Sequence, residues 1–249
     1  LDNVLLLEFI GNTPAGMHRP ICVNEILEIL NITPGERGLD ATLGFGGHSL
    51  EILKSLNQRG HLYATDVDPL ELPRTKERLN DLGYGPDILT VLQTNFSNID
   101  IIVLESGPLD FILADLGVSS MQIDNPQRGF TFKQNGPLDL RMNPKLGIPA
   151  SEHLKSMTKD ELEEMFVQNS DEPHAAIIAA NIISELSKCN SISTTTELRN
   201  IIKNALNFLP KNDRNEEVKK SCQRCFQALR IDVNNELDVL FDFLEKIPD

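Results

Sequence analysis

The sequence predicts an α/β protein in which a doubly wound parallel sheet is joined to an inserted helical domain. Up to residue 115, short apolar strands alternate with segments of helical spacing, the pattern of a parallel sheet covered by helices on both faces. After Met142 the helical segments follow one another with no strand pattern between them. A glycine-rich turn follows the first strand of the sheet and opens a helix, which indicates a ligand site there.

Four strands are predicted in the first half of the chain, over residues 38–43, 61–65, 88–92 and 111–114. Because crossovers between parallel strands are right-handed, we expect the strand order 3-2-1-4. The fourth strand would then be left as a bare apolar edge, which favours aggregation. We therefore expect either that a strand is missing beyond the C-terminus or that a partner covers this edge.

The second half contains five predicted helices, over residues 149–157, 158–168, 173–186, 194–206 and 222–244. Thr158 and Thr194 each precede a glutamate by three residues, Glu161 and Glu197, which is the pattern of a capping box. We assign residues 1–120 and 222–249 to the sheet-containing domain, and 121–221 to an inserted loop and helical domain.

Composition limits the classes of function. No apolar run is long enough to cross a bilayer, and four cysteines, at 22, 189, 222 and 225, suit a reducing cytosol. The motif Cys222-Gln-Arg-Cys225 has no second pair, so we interpret it as structural and predict no metal site. The sequence thus predicts a cytoplasmic protein with no membrane partner.

The net charge of −14 excludes a uniformly basic surface, but its distribution is uneven. Basic residues outnumber acidic ones four to two in 119–150 and six to three in 211–230. A polyanion would have to bind these two segments. The alternative is that both are solvated loops without a ligand.

The turn from Gly44 to His48 and a later carboxylate together indicate a nucleoside cofactor. Gly46 and Gly47 permit close approach of backbone and ligand at a helix N-terminus. Asp66 ends the second strand, 20 residues after Gly46, where nucleoside-binding folds place a carboxylate that accepts ribose hydroxyls. A dinucleotide fingerprint requires Gly or Ala where Ser49 stands, which favours S-adenosylmethionine over a nicotinamide cofactor.

Three further side chains have both a functional and a structural interpretation. Phe96 follows the third strand and either covers an adenine face or packs in the core. Asp115 follows the fourth strand and either contacts cofactor and target amine or caps the next turn. His48 is expected to contact backbone or cofactor; we do not propose it as a base, because the helix dipole opposes its protonation.

Several motifs together resemble one family, the small-subunit ribosomal RNA cytosine N(4)-methyltransferases, RsmH/MraW. They run in order from His18 to the C-terminal region: HRPICVNEIL, DATLGFGGHS, ATDVDP, DLGVSSMQID, RGFTF, GPLDLRM and FQALRIDVNNEL. The motifs GPLDLRM and FQALRI are far more diagnostic than the glycine turn. The resemblance implies a class I (Rossmann-like) methyltransferase sheet with an inserted helical domain for substrate.

The resemblance also implies site residues. S-adenosyl-L-methionine would be bound at the matching positions Gly46, Gly47, His48, Asp66, Phe96, Asp115 and Gln122. The substrate would be a cytidine of small-subunit (16S) ribosomal RNA, free or within the small ribosomal subunit, with phosphates contacted by Arg128, Lys133, Arg141, Lys145 and Arg224. Asp115 is the first candidate for the catalytic acceptor of an amine hydrogen, and Asp139 the second.

The chain departs from the family at three places. Val67 replaces a usual basic residue, the segment before FQALRI keeps only Arg224 of the family pattern, and family sequences continue beyond Asp249. We therefore expect a C-terminally incomplete chain. Three alternatives stay open: a methyltransferase with another substrate, a nicotinamide-dependent oxidoreductase, and a non-catalytic RNA-binding relative. A homodimer is also left open.

Overall fold

The computed structural model describes residues 4–8, 20–188 and 191–247. Within these ranges the chain forms one five-stranded sheet and eleven α-helices. Cys189 and the first two residues of the HRPICVNEIL motif lie outside the described residues. No helix within the described ranges combines the length and apolarity that a membrane span requires.

All strands of the sheet are parallel, in the order β1-β5-β2-β3-β4. The strands are β1 (Val4–Glu8), β2 (Arg37–Asp40), β3 (His61–Asp66), β4 (Leu89–Gln93) and β5 (Phe111–Leu116). The last four correspond to the predicted strands, and their order is the predicted 3-2-1-4. The α/β class and the parallel arrangement are therefore confirmed.

The prediction of a bare edge beside the fourth predicted strand was wrong. That strand is β5, and β1 pairs with it in parallel from Val4 opposite Ile112 to Glu8 opposite Leu116. The neighbour of β5 thus comes from a segment of the same chain that precedes the rest of the sheet. No strand was predicted in this segment.

Helices cover both faces of the sheet, because alternate residues of each strand point to opposite sides. One core contains Leu62, Ala64 and Leu113 with the buried faces of α1 (Val23–Leu30), α2 (Gly47–Leu56) and α3 (Glu71–Asp81). The other contains Leu39, Ile112 and Ala114 with α4 (Ile99–Ser106) and Phe243 of α11 (Glu236–Lys246). The sheet is therefore doubly wound.

The chain divides into two compact units, Leu1–Ser120 with Asp238–Asp249, and Met121–Leu237. The second contains α6 (Ala150–Ser156), α7 (Lys159–Ser170), α8 (Ala175–Ser187), α9 (Thr195–Ala205) and α10 (Lys211–Val233), and the short α5 (Ser120–Asp124) lies at the division. The expected boundary at residue 222 needs correction because it falls inside α10. Cys222, Cys225 and Phe226 of that helix are buried within the second unit.

Two predicted helix starts are confirmed by their capping boxes, and one predicted helix needs correction. Both capping boxes are confirmed. The side chains of Thr158 and Thr194 each accept from the backbone N–H of the glutamate three residues on, and the side chain of that glutamate accepts from the backbone N–H of the threonine. The predicted single helix over 222–244 was wrong, because it is two helices, α10 and α11. Asn234 and Asn235 separate them, and Asn235 has a φ of 50°.

Candidate functional site

Three neighbouring strands carry an aspartate where they finish. Asp40 and Asp66 are the last residues of β2 and β3, and Asp115 is the penultimate residue of β5. These strands are adjacent and parallel in the sheet, so the three carboxylates lie along one edge of it. In open α/β sheets this edge is where ligands bind.

The glycine turn is fastened to the aspartate of β3. Gly44 donates its N–H to Asp66 Oδ2 at 2.7 Å, and Asp68 donates its N–H to Oδ1 at 2.8 Å. Gly46 caps α2 with a φ of 72°, and a Cβ there would lie 2.7 Å from Cγ2 of Thr75. Glycine is thus required at this position both by the backbone and by the space available.

Burial, helped by the charges of Asp68 and Asp40 and opposed by the two backbone hydrogen bonds, raises the pKa of Asp66 to about 6. Each carboxylate oxygen that accepts one N–H retains a lone pair. Asp66 can therefore accept ligand hydroxyls while it holds the turn.

Asp40 was not among the predicted site residues. It is buried and accepts from Ser49 Oγ at 2.5 Å and from the N–H of Thr42 at 3.1 Å. Burial raises its pKa, partly offset by the Ser49 hydrogen bond and by the charge of His48. Its strand-end position is the same signal that identified Asp66 and Asp115, and would have found it.

Ser49 also explains the departure from the dinucleotide fingerprint. Its hydroxyl is fully buried and satisfies one oxygen of Asp40. A glycine or alanine at this position would leave that oxygen without the hydroxyl, at a cost of about 1–3 kcal/mol.

Asp115 and His48 lie together at this edge. The two atoms nearest each other are His48 Nδ1 and Asp115 Oδ2, 3.5 Å apart. The opposite ring nitrogen of His48, Nε2, is 2.9 Å from the carbonyl oxygen of Ile21, so the expected backbone contact is present. The backbone N–H of Asp115 donates to Thr42 Oγ1 at 2.7 Å, and this hydrogen bond fixes the position of the Asp115 backbone.

The pKa of Asp115 is raised, first by burial and also by the charge of Asp40, while the charge of His48 lowers it. The side chain is 29% exposed, so one side of the carboxylate is open to a ligand. Asp115 therefore combines access with a raised proton affinity, the two properties that a proton acceptor needs.

Two of the predicted cofactor-binding residues are placed less decisively. Phe96 begins a short 3₁₀ turn and packs edge-on against Phe243, with ring centroids 5.0 Å apart. At least one side of its ring therefore packs in the core. Gln122 is buried on α5 and groups with the second unit. Contact of either residue with a cofactor stays a prediction.

Asp139 is occupied by a neighbouring arginine. Arg141 donates from Nε to Oδ1 at 2.7 Å and from Nη2 to Oδ2 at 2.8 Å, which is a bidentate ion pair. Between them Leu140 is buried in the left-handed region with a φ of 64°. With both oxygens engaged, Asp139 is a weaker candidate than Asp115 for a proton acceptor.

The predicted phosphate contacts differ in exposure. Arg128 is only 5% exposed, and its guanidinium donates to the carbonyls of Arg141 and Met142 at 3.1 and 2.8 Å. Arg224 is paired with Glu217 at 3.1 Å and lies 3.7 Å from Glu172. Lys133 and Lys145 are exposed. The two lysines are thus better placed for phosphates than the buried Arg128.

The CxxC motif lies in the interior of the second unit. Cys222 and Cys225 are buried free thiols, and burial raises the pKa of Cys222 to about 12 and that of Cys225 well above its usual value. Both sulfurs are therefore protonated and shielded at neutral pH, the state of a structural cysteine.

Comparison with known proteins gives one consistent result. The sequence profile described as the MraW methylase family matches residues 15–249. The chain is 68% identical to "Ribosomal RNA small subunit methyltransferase H 2" of Alkaliphilus metalliredigens, over 96% of this chain and 68% of that protein. It is 60% identical to "Ribosomal RNA small subunit methyltransferase H 1" of Lachnoclostridium phytofermentans, over 96% of this chain and 65% of that protein.

A more distant relative has the same name. "Ribosomal RNA small subunit methyltransferase H" of Buchnera aphidicola is 40% identical over 92% of this chain and 70% of its own length. The chain therefore spans about two thirds of the length of these relatives. With the parallel sheet, the glycine turn and the strand-end aspartates in place, this match over nearly its whole length shows that the chain belongs to the MraW methylase family.

Proposed function

We propose that this protein transfers a methyl group from S-adenosyl-L-methionine to the exocyclic N4 amine of a cytidine in small-subunit ribosomal RNA. One observation carries the proposal: three carboxylates, on β2, β3 and β5, surround a glycine turn in a member of a methylase family. The printed names of its relatives support ribosomal RNA as the substrate class.

The residues present fit this cofactor. Gly46 and Gly47 let the turn pack closely against Thr75 and Pro20 at the N-terminus of α2, and Asp66 keeps free lone pairs for ribose hydroxyls. Asp115 is partly exposed, so its carboxylate is suited to the ammonium group at the methionine end of the cofactor. When bound, S-adenosyl-L-methionine supplies a methyl group activated by a sulfonium. Phe96 and Gln122 complete the proposed set of cofactor contacts.

The residues of the chain then have to orient the amine and accept its proton. The exocyclic amine of cytosine is a weak nucleophile, because its lone pair is delocalised into the ring. A carboxylate that accepts one amine hydrogen opposes this delocalisation, and Asp115 is open on one side for that role. Holding the reacting groups in line supplies several further kcal/mol of the barrier.

RNA would be held through the second unit. Lys133 and Lys145 are exposed there, and a cytidine must leave its stack before its amine can be modified. Arg141, paired with Asp139, would hold the loop that presents these lysines. Arg224, paired with Glu217 on α10, would contribute at most a secondary phosphate contact. Such a substrate would place the activity in the cytoplasm.

The test is methylation of small ribosomal subunits that lack the modification. The chain is incubated with subunits and labelled S-adenosyl-L-methionine, and the RNA is digested to nucleosides for mass spectrometry. We expect label in N4-methylcytidine and a loss of at least about 100-fold in Asp115→Asn. Label in another nucleoside, or none, would contradict the proposal.

The nicotinamide alternative predicts a different binding preference. Titration with NADH and with S-adenosylhomocysteine separates the two, and we expect heat only from the second ligand. Ser49, hydrogen-bonded to Asp40, occupies the position where the dinucleotide fingerprint has glycine or alanine, which disfavours NADH.

A further inference from the structure

The ring of His48 lies between two hydrogen-bond acceptors. Nε2 is 2.9 Å from the carbonyl oxygen of Ile21, and Nδ1 is 3.5 Å from Asp115 Oδ2. A carbonyl oxygen can only accept, so Nε2 must carry a hydrogen. Nδ1 is then the nitrogen that faces the carboxylate.

This arrangement determines how many protons the two side chains hold together. If His48 were neutral and Asp115 ionised, a nitrogen lone pair would face a negative oxygen across 3.5 Å, which is repulsive. One proton between Nδ1 and Oδ2 removes the repulsion, whichever atom it is nearer. The geometry therefore favours a single proton held between Nδ1 and Oδ2.

Neighbouring acids favour keeping that proton, and they act against the dipole at the N-terminus of α2, where His48 is the second residue. Among the described residues, the further ionisable group that interacts with both members of the pair is Asp40, which is buried and negative when ionised. Asp66, which adjoins Asp40, adds a second acid at the same edge. Within the described ranges no Lys or Arg forms an ion pair with Asp115, so no competing cation replaces the shared proton.

We propose that His48 and Asp115 act as one proton-sharing pair, which loses its shared proton when the cationic cofactor binds and recovers a proton from the amine that is methylated. This inference rests on the proposed function. The shared proton is disfavoured beside a cofactor that brings a sulfonium and an ammonium group, because like charges in a partly buried site repel. Cofactor binding would thus leave the pair ready to accept a proton.

The reaction then balances within the site. The N4 nitrogen forms a bond to the methyl carbon, and the carbon–sulfur bond breaks with its electrons left on sulfur. One amine proton passes to Asp115 Oδ and is shared with His48 Nδ1. Asp115 is the catalytic residue in this scheme, and His48 is a positioning residue that acts through it.

Calorimetry tests the first half of the proposal without RNA. Titration with S-adenosyl-L-methionine at pH 7 in phosphate and in Tris, two buffers of different ionisation enthalpy, measures the protons released on binding. We expect release of a substantial fraction of one proton by the native chain. S-adenosylhomocysteine, which lacks the sulfonium, should release less. Equal heats in the two buffers would overturn the proposal.

His48→Gln is the informative variant, because its amide can still donate to the carbonyl of Ile21 but cannot take up a proton. It should abolish proton release on cofactor binding and slow single-turnover methylation at saturating cofactor at least about tenfold. The matched control is His153→Gln, which removes the other His–Asp pair, with Asp232 in the second unit. The control should release the native number of protons, and native release by His48→Gln would reject the pair.

Nitrogen-15 spectra of the imidazoles keep the test valid if His48→Gln fails to fold. In the free native chain at pH 7 we expect Nε2 of His48 to be protonated and Nδ1 to show a shared or bound proton, which is lost when the cofactor is added. A bare Nδ1 in the free chain would refute the pair. A chain that binds cofactor and releases the proton, yet methylates no cytidine, would instead refute the proposed substrate.

Discussion

At the scale of single residues, Gly46 is a position of the candidate site that tolerates no side chain. Its φ of 72° is unfavourable for any residue with a Cβ, and that Cβ would lie 2.7 Å from Thr75 Cγ2. We expect Gly46→Ala to lower the free energy of unfolding by about 1–3 kcal/mol and to weaken S-adenosylhomocysteine binding at least tenfold.

Urea denaturation and calorimetry measure the two effects of Gly46→Ala. The matched control is Gly85→Ala, because a Cβ at Gly85 would meet no atom within 4 Å. It should change neither quantity appreciably. Native affinity in a folded Gly46→Ala chain would mean that the turn does not contact the cofactor.

Asp66 makes stability depend on pH in a defined direction. Its pKa is about 6 in the folded chain against an ordinary value of 3.8, so folding favours the protonated carboxyl. The contribution is fully present below about pH 3.8 and is lost as the pH rises through 6. Relative to Asp66→Asn, the native chain should therefore lose roughly 2 kcal/mol of unfolding free energy between pH 4 and 7.5.

Denaturant titrations of both chains across this pH range measure that difference. Glu77→Gln, at an exposed position of α3, provides the comparison and should run parallel to the native chain. A constant gap between native and Asp66→Asn would show that Asp66 is not held in the buried, weakly ionised state.

At the scale of elements, the two motifs GPLDLRM and FQALRIDVNNEL meet through Asn234. Its side chain accepts from the N–H of Met142 at 2.7 Å and donates to the carbonyls of Leu140 and Arg230, each at 2.8 Å. Asn234→Ala should cost about 2–3 kcal/mol, because it leaves a partly buried N–H and a carbonyl unsatisfied.

The same variant separates the two units by function. Asn234 lies in the second unit and is not among the proposed cofactor contacts, so cofactor affinity should stay native while methylation of RNA falls at least tenfold. Asn235→Gly is the control, since the neighbouring residue is exposed and its φ of 50° suits glycine. Equal losses of cofactor and RNA activity in Asn234→Ala would argue against this division.

Asn234 also illustrates which parts of the fold could be predicted. Strands β2 to β5 were found because strands of a parallel sheet covered on both faces leave short apolar runs in the sequence, and their order followed from the handedness of crossovers. The break at Asn234 was missed because apolar residues at helical spacing continue from Phe226 to Leu240. The break is set by hydrogen bonds to residues 92 and 94 positions away, which no local pattern contains.

The candidate site, like the fold, could be predicted from the sequence only in part. The glycine turn, Asp66 and Asp115 were predictable because strand ends of a parallel sheet share one edge. The approach of His48 to Asp115 and the burial of Arg128 were not, since each depends on segments that are distant in sequence or on how one loop folds back. The pairing of β5 with β1 belongs to this second group.

At the scale of the whole molecule, a chain with a net charge of −14 would bind a polyanion through local basic segments rather than through its surface as a whole. The burial of Arg128 and the pairing of Arg141 with Asp139 reduce the basic loop to Lys133 and Lys145 as its exposed cations in the described structure. Affinity for RNA should therefore depend strongly on each of these lysines.

Lys133→Glu tests this dependence. If Lys133 neutralises one phosphate, its loss should reduce the slope of log affinity against log salt concentration by about 1, and the new negative charge should weaken binding further. Filter binding of small-subunit RNA at several salt concentrations gives the slope. S-adenosylhomocysteine affinity should not change, because Lys133 is exposed and is not among the proposed cofactor contacts. Lys76→Glu, at an exposed position of α3 in the first unit, adds the same charge change away from the loop and should leave the slope unaltered. If both variants shift the affinity equally and neither changes the slope, the loop makes no phosphate contact and only the overall charge is felt.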